Sequence, residues 1–338
     1  MVLTARRMVS AALTMRVSRI LSFSIWPFSI WLVSAGLCAP SVFGQLPEAP
    51  AQTTISPAPA GSATGADNPD NWSEDRRLAM LDQVIANQKK NDEGDSLYEH
   101  LEKKEIRKGP AGTPPEIRVT RNIPAGTGVD KIALGPDGKP TDVAAYRAEL
   151  EKLVHSLMWA TEDGRAQRDA YEKMEKHRKD KSELIDATRS AFTYTFMARE
   201  PRGDRMLMKF RMDPNPAYKP TSRATAIFAK VHGTAWIDEQ ANQLAKVEVE
   251  VTDDISIGGF LAKVYKGSHF MQERWELAPG LWFPTYSQYD FDGRRLFMSF
   301  SLHERTFYTQ YKRIGPPKEA LAEIRAELSK PALTTGDP

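Results

Sequence analysis

Cysteine is almost absent: Cys38 is the only one in 338 residues. A single thiol cannot close an intrachain disulfide, so burial has to hold the fold together. An excess of charge of either sign is lacking too. The 46 basic and 44 acidic side chains leave +2, which gives no basic field for nucleic acid. Histidine is scarce and scattered. His100, His155, His177, His232, His269 and His303 stand at no metal-ligand spacing, and "HERTF" at His303 lacks the second histidine of a zinc-protease helix. Neither a Gly-x-Ser-x-Gly elbow nor a phosphate loop occurs, and "ISIGGF" around Gly258 and Gly259 reads as a bulge or strand bend. No catalytic residue, cofactor or metal is therefore expected.

What is present begins with a long apolar run. Arg6, Arg7, Arg16 and Arg19 precede "ILSFSIWPFSIWLVSAGLCA", and small residues follow. That order is a secretory signal peptide, with cleavage after Gly44, where Val42 and Gly44 suit the small positions and Gln45 opens a polar segment. Retention of the run as a membrane anchor is the alternative, since its length would span a bilayer. Leu37 before Cys38 is the wrong residue for lipid attachment. Removal of residues 1–44 takes four arginines and the only cysteine, leaving a net charge of −2 and no thiol. The expected compartment is the periplasm, with membrane association as an alternative.

Residues 45–71, rich in Pro, Ala, Gly, Ser and Thr, have little to bury and read as a linker. A charged helical and hairpin region follows over 72–190. "NWSEDRRLAMLDQVIANQKK" is an amphipathic helix capped by Asn71 or Ser73, and "SLYEHLEKKEIRK" with "EIRVTRNI" fits a hairpin of charged strands. A helix capped at Thr141 or Asp142 aligns Val143, Tyr146, Leu150, Leu153, Val154 and Leu157 on one face. From Glu162 to Asp186 acids and bases alternate at i,i+4 spacing, as on a solvated helix.

After Arg189 the pattern changes to alternation. About nine strands follow over 191–315, separated by Gly, Pro, Asn and Asp, and a short helix and tail over 316–338 close the chain. The fold class is α+β with an antiparallel sheet. Asp238 to Asn242 and Asp290 to Gly293 are expected hairpin turns. In "AKVEVEV", Ala245, Val247, Val249 and Val251 face one side and Lys246, Glu248 and Glu250 the other, so one sheet face is dry and one wet.

The dry face carries a stripe of soft side chains. Met206, Met208, Phe210 and Met212 share one strand face, and Leu296, Met298, Phe300 and Leu302 share another. Phe196, Phe228, Met271, Trp275 and Trp282 lie on neighbouring strands. Unbranched, polarizable methionine adapts to flexible apolar ligands, so these residues are candidates for a cavity. A filled core under the Val143 to Leu157 helix is the competing reading. Two charged groups are weaker candidates. Glu248, Glu250, Asp253 and Asp254 would be solvated on the wet face, and Arg199, Arg202, Arg205, Lys209, Arg211 and Arg223 bracket "PNPAYKP" where an anionic headgroup could meet them.

A family resemblance is carried by "GTAWID", a polar turn and "QLAKVEVEV", preceded by "FRMDPNPAYKPTSRA" and followed by "GGFLAKVYKGSHF" and "GLWFPTYSQYDFDGR". Over Phe192 to Gly315 the pattern is similar to LolA-like outer-membrane lipoprotein-sorting proteins, in a branch of bacterial envelope proteins. The resemblance implies a curved antiparallel sheet, a half-barrel, closed by a helical lid over an apolar cavity. It also implies a non-enzymatic role, with a lipid or an acylated protein as partner. A structural or protein-interaction module with a filled core remains the alternative, and an envelope hydrolase a further one.

Overall fold

The computed structural model describes residues 69–108, 112–257, 262–296 and 298–331. The signal peptide, most of the linker, and the bend at Gly258 and Gly259 lie outside the described residues. Helix α1 (Glu74–Asp95) starts where Ser73 accepts a hydrogen bond from the Arg76 amide at 3.2 Å, satisfying one of the free donors of its first turn. Strands β1 (Tyr98–Lys108), β2 (Glu116–Pro124) and β3 (Val129–Leu134) follow, then helices α2 (Val143–Ala160) and α3 (Arg165–Ala191). Asp142 caps α2 through the Ala145 amide at 3.0 Å. Nine further strands come next: β4 (Phe192–Arg202), β5 (Arg205–Pro214), β6 (Val231–Asp238), β7 (Gln243–Val251), β8 (Ile255–Ile257), β9 (Ala262–Val264), β10 (His269–Ala278), β11 (Leu281–Arg295) and β12 (Met298–Arg313). Helix α4 (Pro317–Ser329) ends the described chain.

All twelve strands form one open antiparallel sheet, in the order β3-β2-β1-β12-β11-β10-β7-β6-β5-β4, with the β8–β9 ladder attached to β11. It is the curved half-barrel with helices on it that the sequence points to. Bulges in β4, β7, β10, β11 and β12 add local bend and twist. The sheet is not confined to the second half of the chain: the charged hairpin β1–β2 joins it through ten residue pairs between β1 and β12. Gly233 lets β6 and β7 close up, since a Cβ there would stand 2.2 Å from the Glu248 carbonyl oxygen.

Several local expectations need correction. Asp290 to Gly293 is not a turn but the interior of β11, where Asp290 pairs with His303 and Gly293 with Phe300. The reversal comes later, at Leu296, which adopts φ 52°. The two segments expected on either side of His303 are one strand, β12, because β11 pairs its first part and β1 its second, and the two flank it together across His303, from Leu302 to Phe307. Phe228 lies in a 3-10 turn (Thr225–Lys230), not on a strand. Ala245 leaves the face of Val247, Val249 and Val251. The bulge opposite Trp236 and Ile237 makes Ala245 the extra residue and packs it with Leu207, Trp236 and Trp282.

Different helices cover different parts of the sheet. Met80 and Leu81 of α1 pack on Met208, Phe210 and Ile237. Helix α2 does not cover that stripe. Its Leu150, Leu153 and Leu157 pack with Ile324 of α4 on Ile123, Ile132 and Ile314, at the β2–β3 end. The main core, under the last turns of α3, joins Phe192, Met212, Phe228, Val247, Val249, Phe270 and Phe291.

Candidate functional site

Helix α3 crosses the inner face of the sheet with few buried side chains along most of its length: Gln167 near its start, then Ile185, Thr188 and Ala191 near its end. It is pinned at intervals. The Tyr171 hydroxyl donates to the Ala160 carbonyl at 2.9 Å, Lys181 pairs with Asp92 at 2.9 Å, and Lys89 of α1 pairs with Asp186 at 2.6 Å. Between these pins and the sheet lies a cleft of about 1660 Å³, larger than the pockets that hold drug-sized ligands.

The two sides of the cleft differ. One is apolar, made by Val264 of β9, Phe291 of β11, Phe300 and Leu302 of β12, and Leu184 and Ile185 of α3. The other is polar, because β1 places His100, Glu102 and Lys104 on its inner face at alternate positions, beside Asn122 of β2, Lys131 of β3 and Glu304 of β12. Glu102 is buried and takes Lys131 at 3.1 Å and the Asn122 amide at 3.1 Å, with Lys104 at 3.7 Å. Burial alone would raise its carboxyl, but the ammonium groups of Lys104 and Lys131 outweigh that and hold it below the ordinary carboxylate range. Lys104 also reaches Glu304 at 2.7 Å. Because the Asn122 amide nitrogen faces an ionised carboxylate, it must be the donor, and the same nitrogen meets His100 Nε2 at 3.1 Å. His100 is thus neutral with its proton on Nδ1, and burial lowers its pKa to about 4.

Of the candidate cavity residues, Met298 and Phe300 line this cleft, Met298 at its rim with 72% exposure. Met208, Phe210 and Met212 are packed core, Phe196 abuts the α1 cluster, and Phe228 belongs to the main core. Met206 is exposed at the strand end. Met271 and Trp275 are half-buried, and Trp275 carries the Arg202 guanidinium 4.1 Å over its ring. Trp282 is buried with Leu207 and Trp236, opposite to the Met208 face. The polar side of the cleft was missed by sequence reasoning. In "EHLEKKEIRK" both faces of the strand carry charge, so alternation could not mark which of them turns inward.

Most of the other charged candidates are neutralised locally. Arg199 pairs with Glu239, Arg202 with Glu273, Arg205 with Asp238 and Glu276, Lys209 with Glu200 and Arg211 with Asp213. Glu248 meets Lys246, and hydrogen bonds from Lys230 and Lys263 hold Asp253 and Asp254 below the usual carboxylate range. Among the described residues no group of three or more His, Cys, Asp or Glu side chains could hold a metal ion, and no helix is long and apolar enough to cross a membrane.

One constellation invites a catalytic reading. Ser301 Oγ lies 3.1 Å from His303 Nε2, and His303 Nδ1 lies 2.7 Å from Asp290 Oδ1. The carboxylate can only accept, so Nδ1 donates and Nε2 is left to accept from the serine. The surroundings do not suit acyl transfer. His303 and Asp290 alternate with the inward Leu302 and Phe291, and their side chains are 23% and 27% exposed. Asp292 stands directly across the ladder from Ser301, bringing a carboxylate close to where a developing oxyanion would need donors.

No protein-family model matches the sequence, and no curated protein matches it. Solved structures similar to the chain include a domain named as an outer membrane lipoprotein-sorting protein from Vibrio parahaemolyticus, at 9% identity over 69% of this chain and 93% of the other, with a TM-score of 0.26. A DUF1329 family protein from Desulfovibrio piger is 11% identical over 70% and 92%, with a TM-score of 0.27. A LolA superfamily protein from Nitrosomonas europaea is 9% identical over 72% and 96%, with a TM-score of 0.24.

Proposed function

We propose that the chain is a non-enzymatic bacterial envelope protein, exported by residues 1–44, that holds a lipid or an acylated protein in the cleft under α3. The observation that carries this reading is the cleft itself: 1660 Å³ of space beside an apolar side of Val264, Phe291, Phe300, Leu302, Leu184 and Ile185. Hydrocarbon buried there gains about 0.8 kcal/mol per methylene, enough for affinity without a cofactor. The Met208 and Phe210 stripe, packed under α1, serves stability on this reading. Mass spectrometry of the purified, exported protein should find co-purifying acyl chains, and their absence from several independent preparations would count against a carrier.

The hydrolase reading has one observation in its favour, the Ser301–His303–Asp290 hydrogen bonds. A fluorophosphonate probe separates the two. The carrier reading expects no labelling of Ser301 above that of the His303→Ala variant. Labelling of the parent that the variant loses would make the protein a serine hydrolase.

A further inference from the structure

A cleft built for bare hydrocarbon has no use for charge on one side, yet four charged groups stand in a row across β3, β1 and β12: Lys131, Glu102, Lys104 and Glu304. They are balanced. Two ammonium groups face two carboxylates, His100 is neutral, and Thr306 adds a hydrogen bond to Glu304 at 3.0 Å. Farther along, Lys181 is matched by Asp92 in the same way. The row is also not closed off, since the Lys104 and Lys131 side chains are 29% and 28% exposed and Glu304 13%.

We infer that the polar side of the cleft selects an amphiphile with an uncharged, hydrogen-bonding head, and rejects the matching anion, because Lys131, Glu102, Lys104 and Glu304 form a charge-balanced row facing the space. The inference rests on the carrier reading above and names its ligand class. An incoming carboxylate or phosphate would shed water and meet two ammonium groups already held at 2.7 and 3.1 Å by carboxylates of like sign to itself. With no net attraction, the lost hydration is not recovered. A hydroxyl, ester or amide sheds far less, and finds donors on the lysines and an acceptor in Glu304. Elsewhere the lining is mixed in sign, Lys108, Lys176 and Lys179 standing with Glu172, Glu175 and Asp180, so no net positive field draws an anion inward.

The test compares two heads on one chain length. Laurate and monolauroylglycerol are titrated calorimetrically into the full exported protein, below their aggregation concentrations and at about pH 8, where a carboxylic acid is ionised. The parent should bind monolauroylglycerol roughly tenfold or more tightly than laurate. Glu304→Gln leaves the row with one excess positive charge, so laurate affinity should rise and the ratio fall towards unity, while Glu304→Asp keeps the parental ratio. Equal or tighter binding of laurate by the parent overturns the inference and leaves the carrier reading standing. A ratio indifferent to Glu304→Gln places the head away from the row and also overturns it. Binding of neither compound overturns both readings. Should Glu304→Gln fail to fold, the parental ratio alone still decides.

Discussion

Asp95 and His100 are five residues apart and both line the cleft, and burial disfavours the charged form of each, with opposite consequences for acid stability. Asp95 closes α1, where a negative charge opposes the helix dipole. Burial pushes its pKa up to about 6, a rise that Lys181 reduces and Asp92 adds to. Between pH 6 and its ordinary 3.8 the folded state binds the proton and the unfolded state does not, so this group gains stability as the pH falls. His100 acts the other way: its pKa of about 4 lies below the ordinary 6.5, so between those values the unfolded state takes the proton and stability is lost. Asp95→Asn should therefore stabilise the protein at neutral pH by about 1 to 2 kcal/mol, less than the full linkage because Asp95 is not wholly shielded from water. It should also steepen the fall in stability on acidification. His100→Gln should flatten that fall, removing up to about 3 kcal/mol of it if the variant folds. Urea melts at a series of pH values give both slopes, and parallel curves for parent and variants would contradict the burial argument.

At the scale of elements, two methionines that look alike in sequence should answer mutation differently. Met208 is 1% exposed and wedged between α1 and β6, so Met208→Ala should cost about 2 to 5 kcal/mol, for lost transfer energy and the void left behind. Met298 is 72% exposed at the cleft rim, and Met298→Gln should change stability by less than about 0.5 kcal/mol. Thermal or urea unfolding separates the cases, and a large loss at Met298 would show the rim to be packed. The pair also marks what was legible beforehand. Alternation over Met206 to Met212 gave the strand and the face of Met208, Phe210 and Met212 that turns inward, since a one-sided apolar pattern admits a single orientation. It could not say which helix lies on that face, because α1, with only Met80 and Leu81 among its buried large apolar residues, is far less apolar than α2, whose leucines cover β2 and β3 instead. The polar side of the cleft was hidden for a similar reason. Lys103, Glu105 and Arg107 are as charged as Glu102 and Lys104, and only the pairing of β1 with both β2 and β12 makes Glu102 and Lys104 the inward pair. The turn misplaced at Asp290 has a different origin. Asp and Gly favour turns locally, but Gly293 is held in the strand by close approach on both sides, with the Lys263 carbonyl oxygen 2.3 Å and the Phe300 ring 2.8 Å from where its Cβ would stand.

For the whole molecule, the sheet runs through the point where the composition of the chain changes. Residues after Arg189 read as a self-sufficient strand meander, yet β12 has β11 on one side and β1 on the other, and the inner face of β5 and β6 is closed by α1. Polar ties reinforce that union. Asn91 of α1 accepts from the Trp282 amide at 3.0 Å and donates to Gln243 at 2.8 Å, both buried, while Arg121 of β2 ties Glu99 at 2.7 Å to Glu327 of α4 at 2.9 Å. Cutting the chain at residue 190 would expose Met208, Phe210 and Ile237, each worth about 1.5 to 3 kcal/mol when buried, and would leave the long edge of β12 unpaired. A domain's whole stability is about 5 to 15 kcal/mol. The fragment spanning residues 191–331 should therefore fail to fold cooperatively. It should bind a hydrophobic dye, lack a sigmoidal thermal transition and associate through its open strand, whereas residues 69–331 should melt as one unit. A cooperative transition in the shorter fragment would show that the meander is a domain by itself and that the cleft, with β1 to β3 and α3 on its rim, is an interface between two bodies.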